Sequence, residues 1–171
     1  MNFSDESIGT SLLSVVVEAQ LKNRIPKDVV INFSKDEFGL FMIVLSFLAT
    51  FGVISTVKQL LPCRDAEIVS SEVRNLFLDT YSKNSGMELD KWIKMFNYIT
   101  SEVQKIFNSE MVREKQISEI GLLLLSASCI NEEEYFEEKL VNKCGIIGMK
   151  IFESAKEGTC LILNPTGSQR P

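Results

Sequence analysis

Glu133, Glu134, Glu137 and Glu138 fall within the stretch NEEEYFEE, residues 131–138, and with Glu132 they form the densest group of chemically competent side chains in the sequence. Carboxylates at this density can dock a basic protein partner or hold a divalent cation weakly. At the start of a helix they also complement the positive end of the macrodipole and keep an outer face in water. The spacing of a calcium-binding loop and its required glycine are both missing here. The expectation is a solvated helix start that offers a protein-binding patch, with no metal.

Little else in the chain has the makings of catalysis. There is no histidine, which removes the commonest general base and the commonest metal ligand together. Ser/His/Asp and Cys/His machinery is therefore excluded. The four cysteines, Cys63, Cys129, Cys144 and Cys160, show no CxxC spacing and read as small buried hydrophobes in a reducing compartment. The segment GIIG, 145–148, lacks both the Lys-Ser/Thr and the preceding strand of a phosphate loop. The sequence implies no cofactor and no enzyme. A net charge of −5 without a basic stripe opposes nucleic-acid binding, because neutralising phosphates needs clustered Lys and Arg.

The elements that must carry these residues are helical. At 171 residues, 45% apolar and 24% charged, the chain suits one globular domain, placed at 1–157 with a tail at 158–171. Ile8, Leu12, Val15, Val16 and Ala19 recur at helical spacing and predict a helix over 5–24, ended by Pro26. VVINF, 29–33, is a β-branched run expected as a connector or one short strand. Ser34 followed by Glu37 has capping-box spacing and opens a helix expected to run from 35 to 61, where Pro62 stops it.

Further apolar stripes predict helices over 66–83, 88–108, 111–129 and 132–157, the last opened by a cap and N3 pair, Asn131 and Glu134. Trp92 falls in the stripe of the 88–108 helix and is expected in the core, and Leu122–Leu125 are expected to be buried, with a helix–helix dimer interface as the alternative. Gly145 and Gly148 each cost about 1 kcal/mol relative to Ala inside a helix, which predicts a close neighbour or a kink there. Gly158 is read as a helix stop, followed by a short β-like run and a polar tail.

The helix over 35–61 poses the main question of location. From Phe38 to Val57 it carries no charge, and twelve of those twenty residues are Leu, Ile, Phe or Val. A bilayer and a protein core would both accept it. Its flanks lack the Trp/Tyr belts and the one-sided Lys/Arg excess of a membrane span. Several other segments carry single apolar faces that need a common partner. The expectation is an all-α, single-domain irregular bundle of about six helices around this central hydrophobic helix, in the cytoplasm. Its expected function is non-catalytic, through binding a protein partner or self-association as a homo-oligomer. The alternatives are a membrane-anchored protein using 38–57 as a single span, and a sensor of a small apolar ligand held between helices.

Overall fold

The computed structural model describes residues 7–85, 88–128 and 136–164. Within them the chain forms seven helices and no strand: α1 (Ile8–Lys22), α2 (Lys27–Val30), α3 (Lys35–Leu60), α4 (Cys63–Ser85), α5 (Leu89–Asn108), α6 (Arg113–Ser128) and α7 (Glu138–Leu163). Six are long, and the seventh is a single turn. The all-α bundle around an apolar helix is as the sequence predicts.

α3 begins at the expected capping box. The Glu37 amide donates to Ser34 Oγ at 3.3 Å and the Ser34 amide donates to Glu37 Oε2 at 2.8 Å, so two orphan donors are satisfied reciprocally. Its twenty-six residues, rising about 1.5 Å each, give a rod about 39 Å long. Every other long helix packs on it. Of its most apolar window, 67% is buried by protein, and Phe41, Val44, Leu45, Phe47 and Val53 have no exposure.

The polar residues of α3 are accommodated inside. Ser46 donates its one hydroxyl proton to Met42 O (2.9 Å), so the 2.7 Å contact with Tyr81 on α4 must be donated by the tyrosine. Gln20 of α1 also donates to Ser46 Oγ, at 2.8 Å. One small network thus fixes the register of α1, α3 and α4. Phe47 meets Phe77, Trp92 and Phe96 edge-on at centroid distances of 5.5, 5.6 and 5.5 Å, tying α4 and α5 to the same rod. Trp92 is fully buried, as its stripe predicts, and so are Leu124 and Leu125, while Leu122 is exposed.

α6 and α7 approach by their backbones. A methyl group at Gly121 would lie 2.0 Å from Val141 O, and one at Gly145 would lie 1.9 Å from Ile117 O. Both glycines are therefore required by proximity. Gly148 would meet Leu124, Ile120 and Leu48 at 2.8–3.1 Å, so the GIIG segment marks a helix crossing.

Two expectations are corrected. The run VVINF is no strand: α2 forms a turn of helix because Pro26 sets the entry angle and its carbonyl accepts from Val29 (3.0 Å) and Val30 (3.2 Å). Val29 is buried there, and Asn32 Nδ2 donates to the Asp28 carbonyl at 2.6 Å. Gly158 is no stop either. α7 runs on to Leu163, with Thr159 buried and donating to Ala155 O at 2.8 Å. The glycine lies against α1, where an added methyl would come within 2.7 Å of Val15 Cγ1. The described part of α7 starts at Glu138, later than the expected 132, and the predicted cap at Asn131 lies outside the described residues.

Candidate functional site

Of the four glutamates singled out by sequence, Glu133 and Glu134 lie outside the described residues. Glu137 is the N-cap of α7, without a side-chain cap bond, and Glu138 is its first residue; both are exposed. Glu137 borders a shallow depression of about 160 Å³ that it shares with Asp28, Lys139 and Lys143. Glu137 thus borders a surface of mixed charge, with two carboxylates and two lysines in its lining.

That surface deepens into a groove of about 440 Å³ where the end of α1, the start of α2 and the first half of α7 converge. Lys143, Ile146, Ile147 and Lys150 line it from one face of α7, at the spacing of successive helical turns. Lys22, Arg24 and Pro26 line it from the α1–α2 connection. The connection is anchored by Asn23, whose Nδ2 donates to Ala19 O at 2.7 Å and to Ser154 Oγ of α7 at 3.0 Å. Asp28 accepts from Lys143 Nζ, and this hydrogen bond holds its carboxyl below the usual carboxylate range. Lys22 lies 3.6 Å from Glu18, whereas Arg24 and Lys150 make no ion pair among the described residues. The groove therefore has an apolar floor, four cations and one carboxylate that is already engaged. Such an arrangement of charge attracts anions.

A second cleft, of about 410 Å³, opens between α3, α4 and α5. Its floor is Phe51, Ile54 and Phe96, and its walls are polar stripes with helical spacing: Ser70 and Arg74 from α4, Asn97, Thr100 and Gln104 from α5. Arg74 Nη2 donates to Asn97 Oδ1 at 3.0 Å, and its guanidinium lies 5.7 Å from the Phe96 ring centroid. Two polar atoms here, Ser70 Oγ and Arg74 Nε, are buried without a hydrogen-bond partner.

Sequence reasoning missed both sites. The basic groove joins residues more than a hundred positions apart, so no local run announces it. The cleft did leave a local signal: Ser70 and Arg74, four apart, border the apolar stripe Val69, Val73 and Phe77, and Asn97, Thr100 and Gln104 repeat at helical spacing. Cys144 is buried as expected, whereas Cys63 and Cys160 are exposed free thiols, which corrects the expectation of burial for those two, and Cys129 lies outside the described residues. No protein-family model, curated protein or solved structure matches the chain.

Proposed function

We propose that this chain is a non-catalytic binding protein that takes an acidic segment of a protein partner in the groove between the α1–α2 connection and α7. The observation that carries the reading is the local reversal of charge. In a chain of net charge −5, Lys22, Arg24, Lys143 and Lys150 line one groove whose described lining holds one carboxylate, Asp28, while Glu18 pairs with Lys22 from outside it. Ile146 on the same surface is 43% exposed, which gives a partner's apolar side chain something to cover. Cations at such a rim steer and orient an acidic partner, and the apolar floor supplies short-range affinity.

The compartment proposed is the cytoplasm. Exposed free thiols at Cys63 and Cys160 suit a reducing environment, and the apolar surface of α3 is already largely covered by protein. Carbonate-resistant recovery in a membrane fraction would reject this placement in favour of an anchor through α3.

The binding test uses a fluorescent peptide alternating Glu with Leu, and its Gln-for-Glu counterpart, read by anisotropy with the intact chain. The Glu peptide should bind, should weaken as salt is raised, and should lose at least about tenfold in affinity with Arg24→Glu plus Lys150→Glu. Equal binding of the Gln peptide, or an unaffected double variant, refutes the reading. Light scattering on the free protein shows whether a second copy supplies the segment: a dimer dissociated by the same double variant identifies self-association.

A further inference from the structure

The cleft between α3, α4 and α5 is independent of the basic groove and has a different chemistry. Hydroxyls inside helices commonly bond the carbonyl four residues back, and this protein follows that habit at Thr50, Thr56, Thr100 and Thr159. Ser70 departs from it. It is only 7% exposed, it lines the cleft, and its Oγ has no partner. Arg74, one helical turn further along α4, leaves its Nε–H unpaired beside it. An unsatisfied buried donor is costly, and two neighbouring ones in a cleft constitute a prepared site for an acceptor.

We propose that this cleft binds a small carboxylic acid with a compact apolar body. The carboxylate takes the Nε–Nη2 edge of the Arg74 guanidinium, displacing Asn97 Oδ1 from Nη2, a geometry for which arginine's planar fork is suited, and it also accepts from the Ser70 hydroxyl. The apolar body lies on Phe51, Ile54 and Phe96. Lys58 at the mouth adds a positive charge against the one acid there, Glu67, so the cleft selects anions over cations. The contact that holds Arg74 to Asn97 is solvent-exposed, so the guanidinium reaches a ligand by exchanging one accessible hydrogen bond. A volume of about 410 Å³ lies within the range of small-molecule sites.

Phenylacetate is the probe, with phenylacetamide as its neutral counterpart, titrated into the intact chain by calorimetry or by ligand-observed NMR. Phenylacetate should bind saturably and at least tenfold more tightly than the amide. Arg74→Lys keeps the charge but lacks the planar fork, and should weaken phenylacetate at least tenfold. Ser70→Ala should weaken it several-fold while raising the melting temperature of the unliganded protein, because it removes a buried hydroxyl that has no partner. A serine with a merely structural role would give the opposite shift in melting temperature. No saturable binding, equal binding of acid and amide, or undiminished binding by both variants overturns the proposal.

Discussion

Between α6 and α7 the two backbones themselves meet, whereas between α4 and α5 side chains span the gap. Gly121 and Gly145 leave no room for a methyl group, and the carbonyls of Val141 and Ile117 occupy the space instead. The α4–α5 pair is joined by rings at one end, with Tyr81 and Trp92 6.0 Å apart, and by Arg74 and Asn97 further along, beyond which the cleft opens. The first contact has no free volume to give; the second has both volume and unused hydrogen-bonding capacity. Interfaces of the first kind specify a fold, because a crossing at backbone distance admits one register. Those of the second kind can accept a ligand without disturbing the register.

The largest effect expected from this difference is at the glycines. Gly145→Ala or Gly121→Ala should cost at least about 3 kcal/mol in urea unfolding, or abolish recovery of folded protein, since the clash is with backbone and cannot be relieved by a rotamer. A variant of near wild-type stability would break the comparison at once. Native-state hydrogen exchange should next show α5 amides less protected than those of α7 around Gly145, as expected where a helix is held by side chains over a cleft. Equal protection would mean that the two contacts are mechanically alike.

Tyr81→Phe should cost about 1 kcal/mol, because Ser46 Oγ keeps the Gln20 bond and loses only one of two acceptor contacts. Gly39→Ala should go the other way, stabilising by up to about 1 kcal/mol, since nothing lies within 4 Å of the added methyl. It is the control for the tight glycines. Smallest is the pH effect at Asp28. Its folded pKa is depressed by Lys143, so the pair stabilises above the unfolded carboxylate pKa of about 3.9, and the contribution disappears as pH falls through the lower folded value. Asp28→Asn should flatten that acid limb in a melting-temperature profile.

Local chemistry made much of the architecture legible. Ser34 and Glu37 announced the start of α3 because a capping box is complete within four residues, and Trp92 lay in a regular stripe. Gly145 and Gly148 could be read as a close approach, but not what approaches, since Ile117, Ile120 and Leu124 lie two to three dozen residues away. The same limit explains the errors. Gly158 resembles a helix stop in sequence, and its reason, Val15, is almost the whole chain distant. Val29–Phe33 favours strand by residue type, but strand needs a partner, and Pro26 with Asn32 offered a turn of helix instead. Ser70 and Arg74 escaped notice because a polar residue beside an apolar stripe looks like its ordinary wet border. Only the third dimension shows the Ser70 hydroxyl and the Arg74 Nε enclosed.

The covering of α3 also has a consequence in time. α3 is complete at Leu60, while α7, which packs extensively against it, ends at Leu163. At about 5–20 residues per second, that interval on the ribosome lasts roughly 5–20 s. Throughout it the nascent chain displays a bilayer-length greasy rod with part of its sheath unsynthesised. Translation stopped after residue 128 should therefore yield a product that crosslinks to signal-recognition or chaperone factors, and a chain that includes all of α7 should not.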